Sequence, residues 1–164
     1  MRRVATILGT AAVVMLATSV FAQAPNFAGK WTRDAEKTTA MAPAGAAAGG
    51  GGGRGGGGGG GDITITQDAK TLVISRMVQE MEMKTTYNLD GSPSKNVGMG
   101  RGGAAGTEQS STAKWDGAKL VITVDNGQTI TYSLDGAWLV QSTTRAGRDG
   151  GPAVTTTTYY KKAV

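Results

Sequence analysis

Over the second half of the chain, apolar and polar residues alternate almost one for one. Met81, Met83, Thr85, Tyr87 and Leu89 share one side of an extended backbone, with Glu82, Lys84, Thr86 and Asn88 on the other. Leu120, Ile122 and Val124, then Ile130, Tyr132 and Leu134, repeat the pattern. A period of two with one charged side is what a sheet with one wet face requires. The pattern predicts strands over 62–67, 71–78, 81–89, 108–115, 118–125, 128–134, 137–145 and 153–162, and a ninth around Trp31. A turn is placed at Gln79-Glu80, because an unbroken strand from 71 to 89 would far exceed the usual length.

A recurring phrase joins these strands. QDAKTLVIS from Gln67, WDGAKLVIT from Trp115 and LDGAWLVQS from Leu134 each set an Asp turn before an extended run. YNLDG at Tyr87 is echoed by YSLDG at Tyr132 at nearly the same offset. Asp-Gly and Asn-Gly suit tight hairpins because both central positions of a type I′ turn need φ > 0. A hairpin module is therefore used more than once. The fold class expected is all-β, an antiparallel up-and-down meander of about 8–9 strands. Closing the meander into a barrel removes its edges, while a two-sheet β-sandwich uses the same local signals.

Composition breaks this regularity in a few places. Residues 1–22 read as a signal peptide, with Arg2 and Arg3 ahead of an apolar stretch from Val4 to Leu16. Cleavage is expected after Ala22, with Ala24 as the alternative, and the stretch is short for a membrane span. Residues 23–164 are then expected to form one β domain, exported to the periplasm or outside the cell. Within it, 40–61 is almost entirely Ala and Gly. Poly-Gly loses the most backbone entropy on ordering and has no side chain to recover it, so a disordered loop is expected there. Shorter Gly-rich loops follow at 98–106 and 145–152, and 34–37 reads as a helical turn or a loop.

The formal charge of +5 includes Arg2 and Arg3, so part of the basic balance leaves with the leader. What remains serves solubility. Arg54 and Arg101 are isolated among glycines, and no nucleic-acid partner is expected. The poly-Gly run matches G-x-G-x-x-G trivially, without the strand and helix that give that motif meaning. There is no Cys and no His, which removes disulfides, thiolate nucleophiles, imidazole bases and the commonest zinc ligands. The carboxylates Glu80 and Glu82, and Asp34 and Glu36, fall on charged faces or loops. No catalytic residue, cofactor or metal is nominated. Met77, Met81 and Met83 have the soft sulfur that copper(I) prefers, but core packing accounts for them more simply. No transmembrane segment is expected after the leader, and the short Thr- and Ser-rich strands lack the apolar band of an outer-membrane barrel.

Gly29-Lys30-Trp31, opening the first strand after the leader, resembles the G-x-W signature of lipocalins and the wider calycin group. Asn26-Phe27, Gly29, Trp31, Ile65 to Asp68 and the Asp116 and Asp135 turns are together similar to lipocalin-like small secreted bacterial proteins. The likeness spans most of the chain past the leader, although the T-D-Y element and C-terminal helix of lipocalins are not found. It implies a closed barrel whose tryptophan packs across the sealed end beside an Arg of the last strand. Arg145 is the nearest candidate. Without the resemblance, Trp31 reads simply as a large core residue.

The function expected is non-enzymatic. A small barrel either fills its interior or holds one ligand. Trp31, Met83, Tyr87, Ile122 and Tyr132 are the residues expected to line a site for an apolar or amphipathic small molecule. The alternative is a protein-interaction or envelope-associated module without a cavity, such as an inhibitor of an extracellular hydrolase. In that case the Gly-rich loops would contact an extracellular protein.

Overall fold

Alternation in the sequence becomes register in the sheet. The computed structural model describes residues 24–40, 61–78, 81–99, 105–147 and 151–163. Its strands are β1 (Gly29–Asp34), β2 (Ile63–Gln67), β3 (Thr71–Val78), β4 (Met81–Asn88) and β5 (Ser94–Met99). They continue with β6 (Ala105–Asp116), β7 (Lys119–Val124), β8 (Thr129–Asp135), β9 (Trp138–Arg145) and β10 (Val154–Lys162). A short helix, α1 (Ala35–Ala40), follows β1. The strands form one antiparallel sheet in the order β4-β3-β2-β1-β10-β9-β8-β7-β6-β5. Pairing of β1 with β10 wraps the meander round on itself and leaves β4 and β5 as its two edges. The result is a nearly closed barrel rather than a sandwich.

Ten strands among the described residues correct the expected eight or nine. The addition is β5, whose sequence SKNVGM has one β-branched residue, follows Pro93 and contains Gly98. Such a segment has little strand propensity of its own. It is extended because the 12-residue β6 gives it a partner from Ser94↔Ser111 to Val97↔Glu108. At the other uncertain joint, 34–37 proves to be the start of α1. The Asp34 carboxylate accepts the Lys37 N–H at 2.7 Å, the geometry of an N-cap. Thr38 Oγ1 then accepts the Tyr159 N–H at 3.1 Å, where the β1–β10 ladder has run out. Residues 79–80 lie outside the described residues, but β3 and β4 pair as far as Val78↔Met81. Residues 41–60, 100–104 and 148–150 of the Gly-rich stretches also lie outside them.

The turns explain why the hairpin phrases repeat. Gly91, Gly117, Gly127 and Gly136 follow Asp or Asn, and all have positive φ, between 57° and 84°. The first phrase has Ala69 where the others have Gly, so its turn is built differently. Asp68 Oδ1 accepts the N–H groups of Lys70 and Thr71, both at 2.7 Å, and Oδ2 accepts the Thr71 hydroxyl at 2.8 Å. A carboxylate does here what a glycine does elsewhere.

The inner face is apolar at one pole, where residues 25–27 form a plug. Gln67 acts as a substitute peptide. Its Oε1 accepts the Phe27 N–H at 2.8 Å and its Nε2 donates to the Pro25 carbonyl at 3.0 Å. The Trp31 indole N–H donates to the Phe27 carbonyl at 2.8 Å. This pins the Phe27 ring 5.6 Å from Trp115 and 6.4 Å from Tyr132, with no solvent exposure. The cation beside Trp31 is Lys162, 5.8 Å above the ring, and not Arg145. Register decides this, since Trp31 pairs with Lys162 whereas Arg145 pairs with Val154 at the far end of β10.

Candidate functional site

Side-chain parity places charge inside the barrel. On β3, Arg76 follows the buried Leu72 and Ile74 at intervals of two, and it lies in register between Ile63 and Met83. On β1, Arg33 follows Trp31 and pairs with the buried Tyr160. On β9, Arg145 continues the row Leu139, Gln141, Thr143. Three guanidinium groups therefore share the inner face with Tyr87, Tyr132 and Tyr160. No described carboxylate joins them. Asp34, Glu82, Glu108, Asp116, Asp125 and Asp135 alternate with inward residues and so face out, and the remaining described acids sit in turns, in α1 or just before β2. The ion pairs Lys84–Glu82, Lys95–Glu108 and Lys161–Asp34 are likewise on the outside.

Burial raises the pKa of all three tyrosines, Tyr132 most of all, and the nearby Arg76 cation draws each partly back. Arg33 also draws on Tyr160. These phenols stay neutral and act as hydrogen-bonding groups in a desolvated setting. Tyr160 donates to Gln141 Oε1 at 3.1 Å, and Gln141 Nε2 reaches Thr143 Oγ1 at 3.5 Å. Two buried polar atoms on this lining, Arg33 Nε and Ser111 Oγ, have no hydrogen-bond partner. Buried polar atoms of this kind call for a partner from outside the protein, a water or a ligand.

The residues nominated from sequence are brought together unevenly. Trp31, Tyr87, Ile122 and Tyr132 are all buried in one core cluster with Ile74, Leu120 and Leu139. Met83 is inward by register, opposite Arg76, but only half-buried. Met77 and Met81 are exposed at 62% and 44%, so the three methionines do not converge and core packing does not describe those two. Arg33, Arg76, Tyr160 and Gln141 were missed, and Arg145 was named only as the cation beside Trp31. For Arg33, Arg76, Arg145 and Gln141 the signal was present in the spacing, because each lies an even number of residues from a buried neighbour on its own strand, whereas no other residue of β10 is buried beside Tyr160. A concave patch of about 240 Å³ also exists, lined by Lys30, Thr32, Thr64, Ser75, Met77 and Glu82 among others. Those six face outward, while Trp31, Ile63 and Arg76 of the inner row also border the patch, so it opens mainly on the outer wall.

No family model and no curated protein matches the sequence. Solved structures do match. Caenorhabditis elegans lipid binding protein 8 superposes with a TM-score of 0.50 and 13% identity, over 84% of this chain and 95% of that one. The REP1-NXSQ fatty acid transporter gives 0.51 and 12%, over 84% and 96%. A single-substitution variant of the fluorescent protein UnaG gives 0.50 and 17%, again over 84% and 96%. The fold is that of the calycin-type β-barrels. At such identities the likeness concerns the calycin-type fold alone, and the site has to be argued from this chain's own residues.

Proposed function

We propose that this chain is a non-enzymatic binding protein that takes one amphipathic small molecule with an acidic head group into its barrel. The observation that carries the reading is the set of inward arginines, Arg33, Arg76 and Arg145, together with the buried Nε of Arg33, which has no hydrogen-bond partner. Withdrawing half-buried guanidinium groups from water carries a desolvation cost. A carboxylate or similar anion entering from solvent offsets that cost through charge-assisted hydrogen bonds, with the Tyr160 and Tyr132 phenols alongside. An apolar tail would meet the inner face around Met83, Ile74 and Ile122, which explains why methionine and branched side chains lie next to the cations. Two structural neighbours, one named a lipid binding protein and the other a fatty acid transporter, agree with this ligand class.

Export belongs to the same proposal. The plug starts at Pro25, just past the cleavage expected after Ala22, so removing the leader leaves every plug hydrogen bond in place. Among the described residues no helix is long and apolar enough to cross a membrane. The test is calorimetric titration of residues 23–164 with dodecanoate and, separately, with its uncharged methyl ester. Dodecanoate is expected to bind with 1:1 stoichiometry and at least about tenfold more tightly than the ester, the worth of one charged hydrogen bond. Absence of binding by both compounds would sink the ligand reading, and equal affinities would sink the role of the arginines.

A further inference from the structure

The barrel wall is continuous except between β4 and β5. Every other neighbouring pair is joined by a backbone ladder, but here the two strands are held by side chains. Asn96 reaches across with its carboxamide, whose Oδ1 accepts the Thr86 N–H at 2.8 Å while Nδ2 donates to the Thr86 carbonyl at 2.9 Å. One residue pair on, Ser94 Oγ accepts the Asn88 N–H at 2.7 Å and Asn88 Nδ2 donates to the Pro93 carbonyl at 3.1 Å. All four bonds lie in the half of the seam nearest the plug. Toward the mouth, among the described residues, 81–85 and 97–99 make no hydrogen bond to each other.

Three further observations concern that unbonded half. Backbone groups facing a neighbour recur every second residue, so Lys84 and Glu82 present theirs to the seam as Thr86 does. Their side chains form an exposed ion pair at 3.3 Å, a charge arrangement that discourages another strand from adding to the edge. Across from them, a Cβ built on Gly98 meets no atom within 4 Å, so there is open space beside β5. Just inside lie Met83 and, paired with it, Arg76. The gap therefore leads from solvent past a flexible thioether to a cation of the proposed site.

We propose that the β4–β5 seam is the passage by which ligand reaches and leaves the interior, with Asn96 as its latch. This rests on the ligand reading above. Parting the seam breaks no backbone ladder and requires only the loss of side-chain bonds, most of them exposed to water, which makes it the least costly opening in the wall. The Thr86 N–H and carbonyl re-bond to water when the latch is gone, so Asn96→Ala leaves the fold intact.

Two variants and two readouts test the passage. The first readout is stopped-flow fluorescence with anilinonaphthalene sulfonate, an anionic apolar probe. Asn96→Ala is expected to raise the association and dissociation rates together, by about tenfold, with the dissociation constant within a factor of two. Gly98→Phe, which places a ring in the open space, is expected to lower both rates. Bound probe with unchanged rates in both variants overturns the passage while leaving the ligand reading standing. The second readout, amide hydrogen exchange, needs no ligand and decides the matter if the probe does not bind. The Thr86 and Asn88 amides are expected to exchange faster than those of β7 and β8, and faster still in Asn96→Ala. Protection equal to β7 in that variant overturns the latch.

Discussion

The two poles of the barrel are built by opposite rules. At the plugged pole the connections are short and anchored by carboxylates or glycines, at 68–70, 89–93, 117–118 and 136–137. Gln67 and Trp31 are hydrogen-bonded to the 25–27 segment within that pole, and Phe27 closes the space. At the other pole most connections are the Gly-rich ones, the strand ends carry Arg33, Arg76 and Arg145, and polar atoms remain unsatisfied. On the proposed function, the difference separates stability from recognition. One pole holds the sheet together, and the other carries half-buried charge.

Substitutions on the two sides should therefore behave differently. The largest effect is expected at the plug. Phe27→Ala removes a fully buried ring between Trp115 and Tyr132 and should cost about 3–5 kcal/mol in urea unfolding. A loss below about 1 kcal/mol would show that the plug is dispensable and the comparison false. Next is Arg76→Met at the site. Binding of an acidic amphiphile should weaken by about 1.5–3 kcal/mol, roughly ten- to a hundredfold. A fall in the midpoint without a change in binding would make Arg76 a structural residue.

A smaller effect is expected in the turns. Gly117 has φ 57° and a Cβ there meets nothing within 4 Å, so Gly117→Ala should cost only the backbone strain, about 1 kcal/mol. Smallest is the pH response of the plugged pole. Hydrogen bonds from Lys70 and Thr71 hold the Asp68 carboxyl below its ordinary 3.8, and bonds from Ser92 do the same for Asp90. A lowered folded-state pKa means these turns contribute stability above pH 3.8 and lose it as pH falls below that value. Melting temperature should be level near neutrality and decline in strong acid, and less steeply in Asp68→Asn. A profile unchanged between wild type and that variant would remove Asp68 from the account.

Much of the plugged pole was legible in the sequence. Strict alternation from Met81 to Leu89 and from Leu120 to Leu134, with Asp-Gly or Asn-Gly between runs, is enough to fix hairpins and their inner faces. Trp31, Tyr87, Ile122 and Tyr132 were found because large apolar residues signal burial by themselves. The recognition pole was harder to read. β5 is extended only because β6 is beside it, which is a tertiary cause that local propensity does not carry. Arg33 and Arg76 were passed over because charge ordinarily marks the wet face, and Arg145 was named only as the cation beside Trp31, although even spacing from Trp31, Ile74 and Leu139 sets all three on the inner face.

Antiparallel pairing of β1 with β10 has one more result, for how the molecule can be attached to anything else. Ala163 donates its N–H to the Lys30 carbonyl at 2.9 Å, and Pro25 rests against Gln67, so the two limits of the described chain emerge side by side from the plug. Whatever is joined there, whether an affinity handle, a fluorophore or a surface, is held at the far side from the arginines. An immobilised molecule would present its charged opening outward.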